Sequence, residues 1–236
     1  MPRSVVPLLL AVLLTLTGCE VEWTVESGAP EPAASVGQGD VPEGTLDPAA
    51  ATAALAARPV AAKTSLDGYD RDCGSGGGCV FGPAWADIDR NGCDQRNDVL
   101  HRDLTEVEVR EGTHDCVVVA GMLDDPYSGE TVRFEKETAA EVPIDHVVPL
   151  AAAWVQGAAG WTAEERRTFA NDPANLMATT REQNSAKGDS TAEEWVPADP
   201  VYGCSYATVV VTVKQTYSLS VTREEAAALE SLLATC

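Results

Sequence analysis

Seven cysteines punctuate the 236-residue chain, and their placement restricts its fold more than any other feature. The first, Cys19, closes an export signal. Arg3 supplies the positive start, and Val5 to Leu16 is an apolar run of about 12 residues, suited to the core of a signal peptide and too short to span a bilayer. Leu16-Thr17-Gly18-Cys19 has the form of a lipobox: residues 1–18 are cleaved away and Cys19 receives lipid. The alternative is an ordinary secretory signal with a chance cysteine. The other six are Cys73, Cys79, Cys93, Cys116, Cys204 and Cys236. An even count in an exported chain implies disulfides, and six cysteines allow 15 pairings. Cys73 and Cys79 enclose Gly-Ser-Gly-Gly-Gly, flexible enough to close a small loop. Cys93–Cys116 and Cys204–Cys236 are taken as the other pairs, with no spacing argument to compel them. A zinc site would be the competing use, but there is no Cys-x-x-Cys and no histidine at ligand spacing from a cysteine.

Residues 19–64 are rich in Ala, Pro, Gly and acidic side chains, with no durable periodicity. They read as a disordered tether, placing the folded domain at 65–236. The net charge is −21, from 37 acidic and 16 basic residues. Acidic residues outnumber basic ones even between Glu141 and Asp199. Such a chain has no broad electrostatic affinity for nucleic acid. Screening over about 8 Å still leaves room for a local cationic patch.

Within the domain, residues 66–98 read as loops with short elements. Val107 to Arg110 and Cys116 to Met122 read as strands, with Thr131 to Phe134 returning after a turn at Asp124 to Gly129. A short β segment ends at Pro149, and a helical turn follows to Gln156. Thr162-x-x-Glu165 and Thr222-x-x-Glu225 are capping boxes that start helices. Asn175 to Thr179 reads as a strand, and Thr180 to Ala186 as a helix. Residues 206–221 are ambiguous. β-Branched side chains favour a strand, but Tyr206, Val210, Val213 and Tyr217 fall at helical spacing, which tips the reading to helix.

Chemistry concentrates around one of three histidines. Asp145 precedes His146 directly, Pro149 follows, and Asn175, Asn184, Lys187 and Asp189 come downstream on a strand, insertion, strand, helix frame. This series resembles the HNH (His-Me finger, ββα-metal) endonucleases. It is closest to a secreted bacterial subgroup related to the nuclease domain of GmrSD-type restriction enzymes. The nearer resemblance adds Trp85-x-Asp87-x-Asp89-x-Asn91-Gly92-Cys93, Arg96-Asn97-Asp98, Asp125-Pro126-Tyr127-x-Gly129, Ala170-Asn171-Asp172-Pro173 and Trp195-x-Pro197, and spans Tyr69 to Cys236. It implies an α+β fold: a ββα-metal core with a helical insertion, a small N-terminal hairpin sheet and a C-terminal helix, braced by disulfides. It also implies that His146 is the general base, that Asp145 and Asn184 hold Mg²⁺ or Mn²⁺, that Asn175 orients His146 or its loop, and that Lys187 meets a phosphate oxygen. Asn184 stands where the family name has its final His, a variant that favours an oxygen-seeking metal. His101 and His114 have no comparable context and read as structural or surface residues.

Asp87, Asp89, Asn91 and Asp98, with Gly92 at the sixth position, follow the ligand spacing of a calcium loop. The alternative is an Asp/Asn/Gly turn beside a disulfide, with Arg96 neutralising the carboxylates; Arg96 could instead serve a phosphate. The expectation is therefore an exported, lipid-anchored, monomeric endonuclease on the extracellular face. It would act on DNA or RNA with little sequence preference and bind its substrate weakly. The competing expectation is a non-catalytic surface module, stabilised by Ca²⁺, on an HNH scaffold.

Overall fold

A computed structural model describes Met1, residues 41–74 and residues 76–236. The signal segment and the lipidation expected at Cys19 lie outside the described residues. The described residues from Val41 to Cys236 belong to one unit. Among the described residues, no helix is long and apolar enough to cross a membrane.

Among the described residues the fold is mixed α+β with two small sheets. Helix α1 spans Pro48–Ala56, α2 Gln95–Asp103, β1 Leu104–Val109, β2 Val118–Asp124 and β3 Thr131–Glu135. After a 3₁₀ segment come β4 (Ile144–His146), α3 (Leu150–Val155), α4 (Ala163–Ala170), β5 (Leu176–Ala178), α5 (Arg181–Lys187), α6 (Gly203–Thr216) and α7 (Arg223–Leu233). Strands β1, β2 and β3 form an antiparallel meander, and β4 pairs antiparallel with β5, Asp145 opposite Met177.

The β4–β5 pair lies between two apolar cores. Ile144, Leu176 and Ala178 join Val99, Leu100, Phe134 and their neighbours in one. Met177, between Leu176 and Ala178, joins Phe81, Tyr127 and the helices in the other. Strand alternation produces this split, because successive side chains leave opposite faces. Both predicted boxes start helices, but only the first is complete. Thr162 accepts the Glu165 N–H and its own N–H donates to the Glu165 carboxylate, whereas Thr222 accepts the Glu225 N–H while the Glu225 carboxylate turns to Gln156 and Lys214.

The helical reading of residues 206–221 agrees with α6 up to Thr216. Every residue of α6 from Gly203 to Lys214 is buried. Apolar contact on all sides outweighs the weak helix propensity of its valines and threonines. Three disulfides join Cys73 to Cys79, Cys93 to Cys116 and Cys204 to Cys236, and the last ties the start of α6 to the end of the chain. Beneath α6 lies a buried polar cluster. Lys214 Nζ is 2.7 Å from Glu225 Oε1 and donates to Gln156 Oε1 at 2.6 Å, while Gln156 Nε2 donates to Glu225 Oε2 at 2.7 Å.

Two sequence boundaries need correction. The tether does not extend to residue 64. Asp47 caps α1 by accepting the Ala50 N–H, Pro48 opens the helix, and Ala51 and Leu55 are buried against α6 and α7. An Ala-rich helix shows little hydrophobic contrast, and its small side chains are what allow it to lie close to α6. Likewise, the loop reading of residues 66–98 overruns the start of α2, which Asp94 caps through the Asn97 N–H and which buries Val99 and Leu100.

Candidate active site

Strand β4 ends at the candidate site residues Asp145 and His146. Asp145 is buried and His146 half-buried. His146 Nε2 lies 2.8 Å from the Ala170 carbonyl oxygen. A carbonyl only accepts, so Nε2 carries the proton and Nδ1 keeps its lone pair. Burial lowers the His146 pKa to about 4, with the nearby charges of Arg71 and Lys187 adding to the effect and the Ala170 hydrogen bond opposing it. The imidazole is therefore neutral near pH 7 and able to accept a proton. Its ring lies nearly parallel to that of Trp85, at 12° and 6.5 Å between centroids.

Asn175 sets the path of the chain beyond His146. Fully buried, it accepts the Val148 N–H at 2.8 Å and returns its own amide to the Val148 carbonyl at 3.2 Å; its backbone carbonyl takes the Val147 N–H at 2.9 Å. Asn171, also fully buried, accepts the Ala86 N–H at 2.8 Å. The end of α4 thus holds both faces of the site: Ala170 holds His146, and Asn171 holds the loop that carries Trp85.

Asp145 is more heavily engaged than its spacing suggests. Tyr127 donates to Oδ2 at 2.8 Å, and Lys187 Nζ lies 2.9 Å from Oδ2 and donates to Oδ1 at 3.0 Å. Lys187 also donates to the His146 carbonyl at 2.8 Å. Burial raises the Asp145 pKa, while Lys187 and Tyr127 counteract it. Burial, then the neighbouring carboxylate, pushes the Tyr127 phenol well above its usual value and keeps it a donor.

The expectation that Lys187 meets a phosphate is therefore corrected. Gly188 ends α5, and the Lys187 side chain turns inward, where its ammonium neutralises a buried carboxylate. Arg96 is corrected too. It spends Nη2 on the Ala139 and Val142 carbonyls, bracing the segment before β4. The calcium-loop residues do come together, but they close on themselves. Gly92 N–H meets Asp87, and the Asn91 side-chain amide donates to both Asp89 and Asp98, so an N–H group stands where a cation needs oxygen. Among the described residues, no group of three or more His, Cys, Asp or Glu is arranged to hold a metal ion. His101 contacts the Asp115 carbonyl, away from the site.

A hollow of about 200 Å³ is lined by Asp145, His146, Asn184, Asp189 and Arg71. A cavity of about 480 Å³ adjoins it, sharing Arg71, Ile144, His146 and Leu150 and adding Phe81 and Trp85. A larger cavity, about 580 Å³, lies elsewhere beside Arg102, Asp103 and Asp199 and includes neither Asp145 nor His146. Tyr127 and Arg71 were missed as site residues. Tyr127 lies in the Asp125-Pro126-Tyr127 turn, whose role shows only once the turn folds under β4. Arg71 carries no local signal at all.

A family model described as GmrSD restriction endonucleases, C-terminal domain, matches residues 94–231. An uncharacterized secreted protein of Arthroderma benhamiae, a fungus, is 44% identical over 172 residues, covering 72% of this chain and 76% of its own length. This relative is fungal, not bacterial, and a secreted relative together with three disulfides fits an exported protein. No solved structure matches the chain.

Proposed function

The chain belongs to the family of GmrSD restriction endonuclease C-terminal domains, and from that membership we propose that it is an exported, metal-dependent HNH-type endonuclease. It hydrolyses phosphodiester bonds of DNA or RNA with little sequence preference. One observation carries the reading: Ala170 holds Nε2–H of a neutral His146, leaving Nδ1 as an acceptor beside the hollow that Asp145 and Asn184 line. The β4–β5 pair followed by α5 supports a ββα frame.

In this reading His146 takes a proton from the attacking water. Asn175 fixes the turn that presents the imidazole, and the Lys187–Asp145–Tyr127 cluster anchors β4 beneath it. Asp145 and Asn184 would hold Mg²⁺ or Mn²⁺. The donors fit a hard cation: both offer oxygen, the Asn184 side chain makes no hydrogen bond among the described residues, and Asp145 Oδ1, bonded to Lys187 alone, retains a lone pair. When bound, the cation neutralises the scissile phosphate and the departing 3′ oxygen.

A net charge of −21 makes binding weak and salt-sensitive. A lipid on Cys19 would hold a monomeric enzyme at the extracellular face of the membrane. The test is plasmid nicking by protein lacking residues 1–19, in Mg²⁺ or Mn²⁺. Nicking is expected, with His146→Ala abolishing it. Undiminished wild-type activity in excess EDTA would overturn the metal dependence, and no cleavage of plasmid, single-stranded DNA or single-stranded RNA under any divalent metal would overturn the nuclease reading.

A further inference from the structure

We infer that the cavity of about 480 Å³ beside His146 receives one unstacked nucleobase adjoining the scissile phosphate, with Arg71 as the phosphate contact, so that the substrate is single-stranded nucleic acid. The inference rests on the nuclease reading above and names the substrate class of that site.

The cavity has the size of an ordinary small-ligand site and opens onto the catalytic hollow through shared walls. Phe81, Ile144 and Leu150 make its buried apolar lining, and the half-buried Trp85 ring adds a flat wall. Such a wall suits stacking by any base, which gives affinity without sequence preference. Trp85 holds its place with a backbone φ of +61°, disfavoured for a bulky side chain, and the Asn171 hydrogen bond to Ala86 pins the next residue.

Arg71 is the cation that both hollows share. Lys187 and Arg96 are spent on internal partners, whereas the exposed Arg71 guanidinium makes no hydrogen bond or ion pair among the described residues. Its acidic neighbours are turned into their own loop. Asp70 accepts the Asp72 and Gly78 N–H groups, Asp72 accepts that of Gly74, and the Cys73–Cys79 disulfide closes the turn. The loop therefore presents the positive charge of Arg71 at a mouth that Asp72 and Asp189 also line.

A base inside a duplex is stacked and paired, and entering this pocket would require extruding it. A single strand lowers that cost, because its bases are already unpaired. Stacking also supplies affinity that the chain's net charge denies to tracking along a duplex backbone.

The test is fluorescence anisotropy of the full domain in EDTA and low salt, with labelled single-stranded DNA, single-stranded RNA and duplex DNA of equal length. Both single strands are expected to bind roughly tenfold or more tightly than the duplex. Arg71→Ala and Trp85→Ala should each weaken single-strand binding by roughly tenfold, and Trp85→Phe should retain it. Ala84 is exposed on the cavity rim, so Ala84→Trp, which fills the mouth without touching the core, should block binding even if Trp85→Ala fails to fold. Duplex bound as well as single strand, unchanged binding by Arg71→Ala and Ala84→Trp, or no binding by wild type would each overturn the pocket. Cleavage in Mg²⁺, measured separately, tells the two failures apart. Cleavage without strand preference removes the pocket alone, and binding without cleavage removes the nuclease reading alone.

Discussion

The Lys187 ammonium lies 2.9 and 3.0 Å from the two carboxylate oxygens of Asp145, with both side chains almost wholly buried. A charge in that position is costly without its partner. Lys187→Met is therefore expected to destabilise the protein by about 3–5 kcal/mol, leaving Asp145 and the His146 carbonyl unmatched. Thermal melting measures it, with a fall on the order of 10 °C. A melt within about 2 °C of wild type would mean the pair does not anchor β4.

Asn175→Ala tests positioning. It removes both side-chain hydrogen bonds to Val148. The expected loss is about 2 kcal/mol of stability, together with a fall in kcat while KM changes little, because the base is misplaced but the binding surface is intact. An unchanged kcat would remove Asn175 from the catalytic arrangement.

The Lys214–Glu225–Gln156 cluster makes a prediction remote from the site. Lys214→Met strands a carboxylate in the core and should cost about 3–5 kcal/mol. Lys214→Met with Glu225→Leu should recover part of it, since an apolar pair of similar volume escapes the desolvation cost of the charges while the buried Gln156 amide is left unpaired. Chemical denaturation of both variants decides; a double variant no better than the single one would mean the cluster is irreplaceable.

Acid weakens the α4 cap in a stated direction. The Thr162 backbone and hydroxyl hold the Glu165 carboxyl below its usual value. A depressed folded pKa contributes stability above the unfolded value, near 4.5, which is lost as pH falls through the folded value. Glu165→Ala should thus lower Tm at pH 7, with the gap to wild type narrowing by pH 3. A gap independent of pH would deny the charge any part in the cap.

Much of the site was legible in the chain. Asp145, His146, Asn175 and Asn184 are spaced for a strand, strand, helix frame, and the frame brings them to one hollow or its supporting turn. The N-caps at Thr162 and Thr222 were equally plain, because a cap is satisfied within three residues. The Cys73–Cys79 loop was plain for the same reason.

What the sequence by itself determined is what neighbours along the chain can settle: caps, a short disulfide loop, turns, and the order of the residues that carry chemistry. Only the tertiary structure decided which polar groups meet across long separations. It turned Lys187 inward to Asp145, brought the Tyr127 hydroxyl up beneath β4, gave Arg96 to two backbone carbonyls, and left the Arg71 guanidinium at the mouth of the site with no hydrogen bond among the described residues. It also drew α1 out of an apparent tether and ended at Thr216 the helix that the sequence carried to residue 221. The reason is the same in each case. The free energy of burying an apolar surface or neutralising a buried charge depends on what packs against it, and that partner lies tens of residues away.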